Sequence, residues 1–291
     1  SQCVQSAVGN HAREQVAQAV HGLLRCCYDG YPAPGLGLAY WWFIAKKKNK
    51  NRAADNQIKQ TEPTTAKPQQ MVSCSYCDLH LPQNDALAQD GRYYCCAEHR
   101  DSISQKGWWG KAQWRASTNF DERPEDIAVD LAVIHHISLP PGQFGGHHII
   151  DFFQNNLDPT AHPYFEQIAN QKVSSHFLID RNGKMTQFIS LHKRAWHAGT
   201  SQFFGREKCN DFSIGIELEG DGDVFFTNEQ YTSLAEMIGV LLKKFPDLRF
   251  AGHSDIAPER KTDPGPSFDW ARLTKIAKLS EERLPFGSSS R

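Results

Sequence analysis

The chain has 291 residues, with 32 Lys and Arg against 33 Asp and Glu and a formal net charge of -1. That length accommodates one large domain and a small one, and the balanced charge gives no support for nucleic acid or an anionic membrane as a bulk electrostatic partner. Of the 8 cysteines, three lie before residue 28, four form a knuckle pattern with a histidine nearby and Cys209 stands alone, which reads as metal ligation in a reducing compartment rather than as disulfides.

Residues 1–52 form a first segment, opening on Ser1 rather than Met, which fits a missing or processed start. A short helix over 16–24 is expected, without a functional reading. The apolar run at 36–45 (LGLAYWWFIA) is stopped by the basic cluster at 46–52 (KKKNKNR), the pattern of the cytoplasmic end of a membrane anchor. Spanning needs about 20 apolar residues, so 36–52 reads as a truncated or interfacial anchor giving weak membrane association. An apolar strand packed on a neighbour fits the run equally well. Residues 53–70 are rich in Asn, Gln, Thr, Lys and Pro, the composition of a flexible linker.

A zinc-knuckle module over 71–101 follows. Cys74 and Cys77 stand two residues apart in a tight turn, and a second group, Cys95, Cys96 and His99, lies downstream. One cysteine of that pair with His99 completes a closed tetrahedral structural zinc site, without which so short a module lacks the means to fold. Either Cys95 or Cys96 serves on these grounds. The module resembles small bacterial membrane-anchored proteins with a Cys-Cys-Cys-His knuckle, and that resemblance implies Cys95 with His99. No basic, aromatic-lined face adjoins it, so an interaction role is preferred to nucleic-acid binding.

From 108 to 284 the composition is that of an α/β domain. Residues 129–137 form an apolar run expected to be a buried central strand. Alternation then puts His135 and His136 on opposite faces. Residues 177–189 are expected to form a hairpin turning at Asn182-Gly183. Residues 213–219 are a further strand with Glu217 and Glu219 on one face. Thr227 and Gln230 make a capping box opening a helix with apolar Leu234, Ile238, Leu241 and Leu242. A last strand over 248–252 delivers His253 to an irregular Pro-containing loop ending at Asp263.

If His135 meets His253 and Asp263 in space, the three form a catalytic zinc site with a fourth position left for water. Such a water becomes a nucleophile near neutral pH, and amide hydrolysis then needs a proton carrier. Glu217 is the best candidate; Glu219, on the same face, is not excluded by alternation. Lys261 is placed to stabilise an oxyanion. His147, His148 and His162 read as surface groups, His176 as orienting a ligand or substrate, and Cys209 as a buried small residue.

Five blocks in one order, HHISLPPGQFGG (135–146), DPTAHPYF (158–165), KRAWHAG (193–199), CNDFSIGIELEG (209–220) and GHSDIAPERKTDPGPSFDW (252–270), resemble the AmpD-type anhydro-N-acetylmuramoyl-L-alanine amidases. These are a branch of the zinc amidases that includes peptidoglycan-recognition proteins. The resemblance implies a mixed central β-sheet flanked by helices and zinc on His135, His253 and Asp263. It further implies Glu217 as acid/base and Lys261 as transition-state stabiliser. It also implies hydrolysis of the lactyl amide between anhydro-muramic acid and L-alanine during cytoplasmic recycling of wall fragments, by a monomeric catalytic domain on an anhydro-muropeptide. Trp196 is expected to line the sugar site and His197 the pocket. Lys172 and Lys208 stand where arginines are expected near the stem peptide's carboxylates, losing the bidentate fork. His136 replaces an asparagine. Two other readings are a periplasmic amidase on intact peptidoglycan and a muropeptide-recognition module that does not cut. Reduced-looking cysteines and the absence of a signal peptide disfavour the first, and the complete set of chemical groups disfavours the second.

Overall fold

In a computed structural model of the chain, residues 69–287 are described. The anchor-like run, its basic flank and all but the last two residues of the expected linker lie outside them. No helix among the described residues is long and apolar enough to cross a membrane.

The knuckle region consists of two antiparallel hairpins, β1 (Met71–Ser73) with β2 (His80–Pro82) and β3 (Leu87–Gln89) with β4 (Arg92–Tyr94), then a short helix α1 (Ala97–Asp101). Next come β5 (Gln113–Trp114), β6 (Phe120–Glu122), β7 (Leu131–Ile137), α2 (His148–Phe153), α3 (Pro163–Ile168), β8 (Phe177–Ile179), β9 (Met185–Gln187) and β10 (Lys193–Ala195). A two-residue hairpin, β11 (Gln202–Phe203) with β12 (Arg206–Glu207), precedes β13 (Ser213–Glu219). The chain closes with α4 (Asn228–Lys244), β14 (Arg249–Gly252), a single turn α5 (His253–Ile256) and α6 (Trp270–Ala277).

The main sheet is mixed, in the order β14-β7-β13-β8-β9-β5. β14, β7, β13 and β8 run parallel; β8 and β9 form the hairpin expected around Asn182-Gly183. Alternation divides its two faces. Ala132, Ile134, Ile214, Ile216, Leu218 and Phe250 pack with Leu234, Ile238 and Leu241 of α4 and Leu273 of α6. The helix forms where expected, with both halves of the Thr227–Gln230 capping box made, so its first-turn N–H groups are satisfied and its apolar stripe stays on the sheet.

The opposite face carries Leu131, Val133 and Ala251, packed with Ala198, Phe203 and Phe212. His135 follows Val133 by two residues, and Glu217 lies beside His135 in the parallel register of β7 and β13. Both therefore point away from α4, at the carboxyl ends of parallel strands, where ligand sites form in open α/β sheets. The loop after β14 begins with a helical turn rather than irregular chain, because the Asp255 carboxylate accepts the Gly252 N–H at 2.7 Å.

Residues from Met71 onward belong to one compact unit. The knuckle packs on the chain leading into the sheet: Arg92 donates to the Ala112 carbonyl at 2.7 Å and Trp109 Nε1–H to the Asp101 carbonyl at 3.0 Å.

Candidate active site

His135 leaves β7, His253 leaves β14, and Asp263 returns ten residues later through a loop bonded back by Ser254 N–H to the Asp263 carbonyl at 2.8 Å. His135 Nδ1 lies 3.0 Å from His253 Nδ1 and 2.9 Å from Asp263 Oδ2, and His253 Nδ1 lies 3.0 Å from that oxygen. All three side chains are buried. Burial alone would raise the Asp263 carboxyl; the two imidazoles overcome it and hold the group well below the usual carboxylate range. Burial also pushes His135 down to about 4, against the pull of Asp263.

The donor set fits a zinc ion. His253 Nε2 faces the Ala198 carbonyl at 3.0 Å, which only accepts, so Nε2–H donates to it and Nδ1 is the nitrogen left to ligate. With His135 Nδ1 and Asp263 Oδ2 it makes two ring nitrogens and a carboxylate oxygen within 3.0 Å of one another, donor types that zinc takes. Tetrahedral zinc with bonds of about 2.0–2.1 Å separates its ligands by about 3.3 Å, so a small outward shift of the donors admits it.

A cavity of about 400 Å³ opens over the triad, lined by both imidazoles, Asp263, His136, Trp196, His197, Glu217 and Lys261 among others. Glu217 is buried, and its Oε2 has no hydrogen-bond partner. Desolvation first, and then the Asp263 charge, push its carboxyl well above the ordinary range, against the lowering effect of Lys261. Glu219 is engaged elsewhere. Its oxygens accept the N–H groups of Gly145 at 2.5 Å and Arg181 at 3.0 Å, and it lines a different cavity. Two residues along a strand is enough to separate them.

His136 points away from His135 and its ring abuts Gly222, where an added Cβ would lie 2.9 Å from Nε2. Gly222 and Gly265, both with positive φ, pass so closely that a Cβ on Gly265 would meet the Gly222 backbone at 2.8 Å, and only glycine brings the two loops together there. Trp196 is half-buried and donates through Nε1–H to Asp121 Oδ2 at 2.7 Å. Lys208 lines a second cavity of about 770 Å³ with Arg194, Asn210 and Arg260. Lys172 is exposed beside the cavity-lining Gln171 and Val173. His176 lines neither cavity: it is fully buried, with Nδ1 accepting the Gly215 N–H at 3.0 Å and Nε2 facing the Lys193 carbonyl at 3.1 Å. It braces the sheet rather than a ligand. Arg123, Asn210 and Arg260 had no local signal in the sequence; each acts on backbone carbonyls or N–H groups of distant segments.

In the knuckle, Cys74, Cys77, Cys95 and His99 bring four donor atoms within 4.8 Å of one another. Burial would raise the Cys74 thiol, but the N–H groups of Cys95, Cys77 and Tyr76 outweigh it and bring it down to about 6, favouring the thiolate that binds metal. Cys209 is buried and its thiol is raised by desolvation, the state of an inert packing residue.

Residues 125–266 match the N-acetylmuramoyl-L-alanine amidase family model. The 1,6-anhydro-N-acetylmuramyl-L-alanine amidase AmpD of Haemophilus influenzae is 51% identical over 177 residues, covering 60% of this chain and 96% of that protein. Its Escherichia coli counterpart is 52% identical over 173 residues, covering 59% and 94%. The chain belongs to the AmpD-type amidase family. A crystal structure of a selenomethionine AmpD derivative superposes on the amidase with a TM-score of 0.58 at 50% identity, over 59% of this chain and 97% of that one. The matched portion is thus nearly a whole AmpD, and the knuckle and the segment before it precede it in this amidase.

Proposed function

We propose that His135, His253 and Asp263 hold the catalytic zinc of this amidase, with Glu217 as its acid/base and Lys261 as its charge stabiliser. The activity is that of the family: hydrolysis of the lactyl amide between 1,6-anhydro-N-acetylmuramic acid and L-alanine in muropeptides, a reaction of peptidoglycan recycling. The observation that carries the residue assignment is the meeting of the three donor atoms within 3.0 Å, in one cavity with a buried carboxylate whose Oε2 lacks a partner.

Zinc, when bound, lowers the pKa of water toward neutrality and polarises the scissile carbonyl. Glu217 takes the proton from the attacking water and returns it to the leaving amine of L-alanine; burial and the Asp263 charge raise its carboxyl well above the ordinary range, which favours holding that proton between the two transfers. The Lys261 ammonium offsets the negative charge that develops on the carbonyl oxygen. Trp196, anchored at its Nε1, offers a ring face to the sugar. Lys208 in the neighbouring cavity supplies a cation for the stem peptide's carboxylates, and Lys172 does so from the exposed surface beside the first cavity. His136, where the resemblance implies an asparagine, lines the same cavity as Glu217 and Lys261.

Cys74, Cys77, Cys95 and His99 hold a second, structural zinc, supported by the convergence of their donor atoms. The catalytic portion acts as a monomer in the cytoplasm, and residues 36–52 give it weak association with the membrane.

Mass spectrometry of anhydro-muramoyl-tripeptide incubated with the full chain tests this reading. Release of free tripeptide that stops with a zinc chelator and resumes on adding zinc is expected. Tight binding without release identifies a recognition module instead.

A further inference from the structure

The segment Trp196-His197-Ala198 runs behind the metal triad rather than only beside the substrate. His197 Nδ1 lies 2.9 Å from His135 Nε2, the ring nitrogen turned away from the triad. Its other nitrogen, Nε2, lies 3.1 Å from Ser213 Oγ. Both nitrogens of His197 are therefore occupied within the protein. The next residue supplies the equivalent acceptor for the other imidazole, through the Ala198 carbonyl 3.0 Å from His253 Nε2.

The segment is itself held from two sides. Asn210 Oδ1 accepts the N–H of His197 at 3.2 Å and of Ala198 at 2.8 Å. Arg260 donates to the carbonyls of Ala198 at 2.6 Å and Thr200 at 2.8 Å. Room for the ring comes from β13: a Cβ on Gly215 would lie 2.5 Å from His197 Cγ. A glycine inside a fully buried central strand lacks a packing use of its own and marks such a close approach.

We infer that His197 and Ala198, clamped by Asn210, are positioning groups that fix the proton of both imidazoles on Nε2 and so aim both Nδ1 lone pairs at the metal. The inference rests on the zinc assignment proposed above and changes the expected role of His197 from substrate contact to support of a ligand. Hydrogen bonds behind metal-bound imidazoles fix the tautomer and ring orientation and raise ligand basicity; losing one costs about 10–100-fold in metal affinity. One chain segment serving both imidazoles couples their orientations, so displacing it weakens two ligands together.

The test is zinc release from the loaded full chain to a competing chelator. His253→Ala first identifies the phase that belongs to the catalytic site; if that phase survives the substitution, the zinc assignment itself fails. With the phase identified, His197→Phe is expected to weaken zinc binding about 10–100-fold while the zinc-free chain melts as wild type does. His197→Asn, whose Oδ1 takes the place of Nδ1 as acceptor, is expected to recover most of the loss. Gly215→Ala, which displaces the ring, is expected to behave like His197→Phe. Unchanged zinc affinity with a raised KM for the muropeptide in His197→Phe would overturn the inference and return His197 to substrate contact. Should His197→Phe fail to fold, the wild-type chain labelled with 15N at histidine decides. A coupling through the hydrogen bond between His135 Nε2 and His197 Nδ1 is expected, and a proton on His197 Nδ1 would overturn the proposal.

Discussion

Glu217 and Glu219 show how position along one strand assigns chemistry to identical side chains. Glu219 spends both oxygens on backbone N–H groups, whereas Glu217 keeps one oxygen unpartnered beside the triad. Glu217→Gln removes the proposed proton carrier but keeps the shape. It is expected to lower kcat by about 10²–10⁴-fold with muropeptide affinity unchanged, as read by turnover and by calorimetric binding. His176 carries a pH prediction. Burial first, and then the Arg123 cation, lower it from 6.5 to about 3, so the folded chain holds it neutral while the unfolded chain protonates it. Between those values the unfolded state binds more protons, and stability falls as pH falls through that window. In denaturant titrations at pH 7 and pH 4, His176→Asn is expected to be less stable at neutral pH but to lose less on acidification than wild type.

At the scale of elements, α4 holds the sheet against which the site is built. Its N-cap, Thr227, accepts the Gln230 N–H at 3.1 Å and donates to the Arg181 carbonyl at 2.8 Å, tying the helix start to the β8–β9 turn. Thr227→Ala is expected to cost about 1–2 kcal/mol in chemical unfolding, with kcat unchanged because α4 lies on the face away from His135 and Glu217. Thr227→Ser keeps the hydroxyl and is expected to restore most of that stability. The helix was legible in the sequence because both halves of a capping box and a 3.6-residue apolar stripe are local signals. The strands were legible through runs bounded by polar residues, though β7 starts two residues later than the apolar run suggests. There Asp130 already turns to Arg206 and Arg249.

Across the whole described molecule, the knuckle is bonded to the amidase rather than appended to it. Tyr94 and Trp109 are almost fully buried at the junction, Arg92 lies over the Trp114 ring at 4.1 Å, and Trp114 belongs to β5, the sheet edge. If zinc orders the knuckle as proposed, it therefore supports that edge. Cys77→Ser is expected to lower the zinc content from about two ions per chain to about one and to lower the melting temperature. At this size each kcal/mol lost moves Tm by about 2–4 °C. Unchanged melting after loss of the ion would show that the knuckle contributes nothing to the sheet.

The sequence alone determined which face His135 takes, since a strand's period of two is a property of the backbone, and which residue types could form a metal triad. It also carried the five motif blocks that resemble the AmpD-type amidases. It left open Cys95 against Cys96, Glu217 against Glu219, and the task of His197. Those depend on segments far apart in the chain: His135 meets His253 across 118 residues and His197 across 62. No periodicity reports such contacts, because they arise only when the two faces of the sheet are filled and the loops beyond its strands are packed against one another. Tertiary structure decided which of several equivalent donors ended within hydrogen-bond reach.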